Sequence, residues 1–229
     1  IGRFYANYLL KGGYMSEQKK KQKKDEVLDS YVFDNEGIQV IAKIYAKENE
    51  FVPFYEVIVR ELSEGTRLVL NNLKGELITT VKLDITELMD PKKMDDVKKK
   101  FEQRSQVILA KHFPNLSESD KKVLTAYLIQ NSLGLGDLEP LMHDERLEEI
   151  AINSSTEPVW VYHKKYGWCK TNIYIKSEDS IFDIASMIGR RIGKQINVLN
   201  PIMDAHLSTG DRVNATLFPV SSFGNTITI

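Results

Sequence analysis

The chain has 229 residues, 42% hydrophobic and 28% charged, and its 31 Lys and Arg against 32 Asp and Glu leave a net charge of −1. This is the composition of a soluble globular protein, long enough for one large domain or two modest ones, with no general attraction to nucleic acid or acidic membranes. No apolar run approaches the ~20 residues of a membrane-spanning helix, and the start carries no secretory leader pattern. The single Cys169 excludes an internal disulfide and fits a reducing cytoplasm. His112, His143, His163 and His206 lie at no metal-ligand spacing, so no metal site is expected.

Residues 1–14, "IGRFYANYLLKGGY", precede Met15. They read as a cloning remnant or fused peptide, or alternatively as a native amphipathic arm. The run Lys19–Lys24 continues a basic tail, so 1–30 is set apart from the fold. Residues 31–62 are strand-like, "IQVIAKIYA" and "FYEVIVREL" being β-branched and aromatic, with breaks at Asn35-Glu36-Gly37 and Glu48-Asn49-Glu50. "GTRLVLNNLKGELITTV" predicts a helix that packs Leu68, Leu70 and Leu77. A second helix starts at Asp90-Pro91, carries Met94, Val97, Phe101 and Ile108 on one stripe, and stops at Pro114. A third opens on the Ser117/Asp120 pair, carries Val123, Leu124, Tyr127 and Leu128, and ends in "GLG" at 134–136. Residues 31–133 are thus expected to form strands plus a three-helix bundle.

From 134 to 229 the texture is α/β. "EEIAIN", "PVWVYH" and "WCKTNIYI" are strands, with a tight turn at "KKYG". Ser177 caps a helix with Ile181, Ile184, Ala185, Ile188 and Ile192 on one face, and Gly193 terminates it. Strands at 202–206 and 212–218 follow, and Ile227 and Ile229 resume the alternation after "SSFGN". The expected class is α+β, the second half being an antiparallel, PAS-like sheet with a helix packed across it.

On the wheel of that helix, with Ile181 at zero, Arg190 falls at ~180° and Arg191 at ~280°. Arg212 opens the strand after Gly210, on the face opposite Val213. A guanidinium is a permanently charged, forked donor that suits phosphate oxygens. The same spacing also fits solvated arginines paired with Asp183, Asp204 or Asp211.

The blocks "LGLGDLEPLMHDERLEEIAINSSTEPVWVYHKKYGWCKTNI" and "IGRRIGKQINVLNPIMDAHLSTGDRVNATLFPVSSFGNTITI", covering roughly 133–229, resemble the N-terminal region of the hexameric secretion ATPases of type II and type IV systems, pili and the archaellum. With the preceding bundle, the chain looks most like the archaellum motor ATPase. The resemblance implies that "TITI" leads into a RecA-like motor domain that binds ATP and Mg. No phosphate-binding loop ending in Gly-Lys-Ser or Gly-Lys-Thr occurs in these residues, so this part is not expected to hydrolyse ATP alone. It further implies that Arg190, Arg191 and Arg212 reach the phosphates across the domain junction, and that no catalytic residue lies in this part. The implied partners are the motor domain, a homo-hexamer, the archaellum or pilus platform protein at the inner face of the membrane and cytoplasmic accessory proteins, with no nucleic acid. Where the family reads Asp-Ala-Arg-Leu, this chain has Asp204-Ala205-His206-Leu207. An alternative class is a stand-alone ligand-sensing or scaffold module without ATP dependence.

Overall fold

The computed structural model describes residues 25–48, 50–59, 64–81, 93–207 and 209–229. Residues 1–24, with the basic run, and the expected helix start at Asp90-Pro91 lie outside them. The fold is α+β. Strands β1 (Glu26–Asn35), β2 (Ile38–Ala46) and β3 (Phe54–Val59) precede helices α1 (Glu64–Thr80), α2 (Met94–His112) and α3 (Glu118–Leu133). A 3₁₀ turn at Gly136–Leu138 and a single-turn α4 (Glu139–Met142) lead into β4 (Leu147–Ile152), β5 (Pro158–His163) and β6 (Gly167–Tyr174). Helix α5 (Glu178–Arg191), β7 (Ile202–His206), β8 (Arg212–Thr216) and β9 (Thr226–Thr228) complete the described chain.

The described strands form one sheet in the order β1-β2-β3-β6-β5-β4-β9-β8-β7. The β1–β2 hairpin turns on Glu36 and Gly37 between the paired Asn35 and Ile38. Both turn residues have positive φ, +49° and +88°, as a two-residue type I′ turn requires. The second half is antiparallel throughout, as its alternation predicts. One pairing is parallel: β3 meets β6 at Phe54 with Lys170 and Tyr55 with Thr171. The sheet therefore runs unbroken past the 133/134 boundary, and Val40, Ala42, Ile44 and Tyr55 share a core with Ile150, Val161 and Cys169.

Strand β9 lies between β4 and β8, with Ile150 and Ile229 exchanging both backbone hydrogen bonds at 2.9 and 3.0 Å. The terminal isoleucines thus have the core their alternation calls for: Ile227 is fully buried and Ile229 packs against the same cluster. The buried face of the sheet is covered in part by α5 through Ile181, Ala185 and Ile188.

The helices α1, α2 and α3 enclose a second core of Leu70, Leu73, Leu77, Val97, Phe101, Ile108, Leu109, Leu124, Tyr127 and Leu128, capped by Ile38 from the sheet. Leu68 does not join it. It is 66% exposed, because the buried stripe of α1 runs through 70, 73 and 77 and turns Leu68 outward.

The sheet also curls. β1 and β5 stand four strand intervals apart, about 19 Å if flat, yet the rings of Tyr31 and His163 are 6.2 Å apart. The Tyr166 hydroxyl, at the tip of the β5–β6 hairpin, donates to the Leu28 carbonyl of β1 at 3.3 Å.

Candidate functional site

Helix α5 is fixed at both ends. At its start the Ser177 hydroxyl accepts from the Ser180 amide at 3.1 Å. The Glu178 carboxylate accepts from the amides of Ser155 at 2.7 Å and Asn225 at 2.5 Å, tying the β4–β5 and β8–β9 loops to the helix. Burial works to raise the Glu178 carboxyl, and these two amides outweigh it and hold the group below its usual range. At its end the Gly193 amide donates to the Arg190 carbonyl at 3.1 Å and the Lys194 amide to the Gly189 carbonyl at 2.8 Å. With Gly193 at φ +68° this is a Schellman motif.

The three arginines named from the sequence have different surroundings. Arg190 is exposed at the helix end, as the wheel places it, with no ion pair among the described residues. It lines a hollow of about 380 Å³ with Lys194, Gln195 and Asn197. Arg212 is exposed and grips Asp204 with both prongs, Nε to Oδ1 at 3.0 Å and Nη2 to Oδ2 at 2.8 Å. That grip holds the Asp204 carboxyl below its usual range. Arg212 lines an adjoining hollow of about 330 Å³ with Lys194, Asp204 and His206. Arg191 is half-buried, and its Nη2 donates to the Leu133 carbonyl at 2.5 Å. The structure therefore brings Arg190 and Arg212 to hollows that share Lys194, and leaves Arg191 off both.

A second cluster, unmarked by any sequence motif, lies inside the curl of the sheet. Asp144, 5% exposed in the turn before β4, accepts hydrogen bonds from the hydroxyls of Tyr31 (2.5 Å) and Tyr55, and from the Arg146 amide at 3.0 Å. Burial and the Asp144 carboxylate push both phenols well above their usual range. His163, 2% exposed, accepts the Lys165 amide at Nδ1 (3.1 Å), and its Nε2 has no hydrogen-bond partner among the described residues. A phenol that is buried and hard to ionise is neither a base nor a nucleophile. This cluster ties β1 and β3 to the start of β4. Cys169 is likewise inert, its thiol pushed up to about 11 by burial.

Beyond Tyr55 and Thr171, β3 and β6 part. The Asn172 carboxamide bridges the gap, accepting from the Val57 amide at 2.8 Å and donating to the Val57 carbonyl at 2.9 Å. The parting forms part of a cleft of about 350 Å³ lined by Asn35, Gln130, Tyr127, Asn172, Asp137 and Lys176. Among the described residues no group of three or more His, Cys, Asp and Glu could hold a metal ion, and no helix is long and apolar enough to cross a membrane.

No family profile matches the chain. Three uncharacterized proteins of Methanocaldococcus jannaschii are similar to it. One is 32% identical over 146 residues, 63% of this chain and 57% of that protein. A second is 29% identical over 213 residues, 90% of this chain and 27% of that protein. A third is 36% identical over 89 residues, 38% of this chain and 16% of that protein. The chain thus spans little more than half the length of the first relative and a smaller share of the others. Among solved structures, the VirB11 ATPase of the Brucella suis type IV secretion system, in complex with sulphate, aligns with a TM-score of 0.34 at 20% identity, over 40% of this chain and 29% of that one.

Proposed function

We propose that this chain is the N-terminal part of a secretion-type ATPase, of the archaellum or of a type IV pilus or secretion system, working as a hexamer at the inner face of the membrane. It closes over ATP and Mg held mainly by a motor domain and supplies Arg190 and Arg212 to the phosphates. The observation that supports this reading is the state of Arg212. Its guanidinium is exposed, yet Asp204 fixes its plane through two of its five N–H groups and leaves three for a ligand. Charge developing on the transferred phosphoryl group is stabilised when such a donor is already oriented. Closure of one domain on another would complete the site and couple hydrolysis to movement. The helices α1–α3 would serve as the docking surface for accessory and platform proteins.

Arg212→Ala, in a protein that also carries the phosphate-binding loop, is expected to lower ATP hydrolysis by about tenfold or more while leaving the circular dichroism spectrum unchanged. Wild-type turnover in that variant would remove Arg212 from the site. A second reading, a ligand-sensing module without ATP dependence, is favoured by one observation, the polar-lined cleft where β3 and β6 part. The same substitution separates the two readings, because that module has no use for Arg212.

A further inference from the structure

The turn that ends α5 also places a cation. Lys194 is the residue after the left-handed Gly193, and its amide folds back onto the Gly189 carbonyl at 2.8 Å. The approach is so close that a Cβ on Gly189 would stand 2.8 Å from the Lys194 carbonyl oxygen, which leaves room only for glycine. The Lys194 ammonium is thereby returned to the end of the helix, where it donates to the Asp204 carbonyl at 2.5 Å. Asp204 is the residue whose carboxylate holds Arg212. Lys194 is also the residue common to the two hollows, one flanked by Arg190 and the other by Arg212. Arg191 meets neither hollow. Its guanidinium lies instead against a carbonyl at the C-terminus of α3, the negative end of that helix dipole, to which Nη2 donates.

We propose that Lys194, and not Arg191, is the third cation of the phosphate-contacting surface, and that Arg191 is a tether joining the end of α5 to the end of α3. The proposal rests on the reading of Arg190 and Arg212 given above. The ligand class is a polyphosphate chain, whose successive anionic groups match a row of three cations with a hollow on either side of the middle one. An ammonium has three donors and Lys194 uses one on Asp204, leaving two. The carboxylate in the row, Asp204, is paired with Arg212, and three cations against this one carboxylate leave the strip net positive.

The test is titration of inorganic tripolyphosphate into the 229-residue chain, followed by calorimetry and backbone amide shifts, with melting temperatures recorded alongside. Shifts are expected at residues 190–197 and 204–212. Lys194→Gln and Arg212→Gln are each expected to weaken binding by about fivefold or more, and Lys194→Arg to restore most of it. Arg191→Gln is expected to keep the affinity within about twofold while lowering the melting temperature. If Lys194→Gln binds as wild type while Arg190→Gln and Arg212→Gln weaken, the assignment of Lys194 falls and the functional reading stands. If Arg191→Gln loses as much as Arg212→Gln, the tether is wrong. If tripolyphosphate causes no shift, or none of the substitutions changes its affinity, the strip fails together with the roles of Arg190 and Arg212.

Discussion

His163 shows how much a single side chain can owe to residues far away in sequence. It is enclosed by the rings of Tyr31, Tyr55 and Tyr166, with Asp29, Asp144, Arg146 and Lys165 as the charged groups around it. Burial lowers the proton affinity of its ring below the ordinary value of 6.5, with Asp144 opposing. The native state then holds fewer protons than the unfolded chain, so the group contributes stability above 6.5 that is lost as pH falls below that value. The denaturant midpoint is expected to drop between about pH 7 and about pH 5, and His163→Phe to flatten that drop; equal slopes in the two proteins would show that His163 is not the group responsible. Residue by residue, the sequence disclosed local features best. The caps at Ser117 and Ser177 and the outward direction of Arg190 depend on neighbours within one helix. The Asp144 cluster was illegible, because its hydroxyl donors stand 113 and 89 residues away along the chain. Lys194 was legible in principle: Gly193 marks the helix end, and a Schellman motif fixes what the next residue does.

At the scale of elements, periodicity announces a strand and says nothing of its partner. β2, β3 and β5 begin where the alternation begins, and the turn at Glu36-Gly37 could be read from its residues. The parallel junction of β3 with β6 could not, since it joins segments separated by the whole helical layer. That junction is short, and Asn172 extends it by imitating a backbone partner for Val57. Asn172→Ala removes both hydrogen bonds and leaves a half-buried amide and carbonyl without their partner, at a cost of about 1–3 kcal/mol. Hydrogen exchange at the Val57 amide is expected to accelerate accordingly; unchanged protection there would mean that the strands hold together without the bridge.

At the scale of the whole molecule, the described residues form two cores and one sheet. The composition and the order of patterns were enough to expect an α+β fold, because strands, helices and strands again follow one another in sequence. How the parts share a core depends on the β3–β6 pairing, which composition does not encode. A chain cut to residues 134–229 would lose Val40, Ile44, Tyr55 and Val57 from its core and leave Asp144 without either phenol. Such a piece is expected to show no cooperative thermal transition and poorly dispersed amide resonances; a sharp transition near that of the longer chain would show the β1–β3 meander to be dispensable. The place of β9 has a consequence for the order of events on the ribosome. Among the described residues, the β7–β8 hairpin is strand-paired to the rest of the sheet only through β9, residues 226–228. Until those residues leave the exit tunnel, a nascent chain holds two slabs with no strand pairing between them, each with an open flank that a neighbouring polypeptide could occupy.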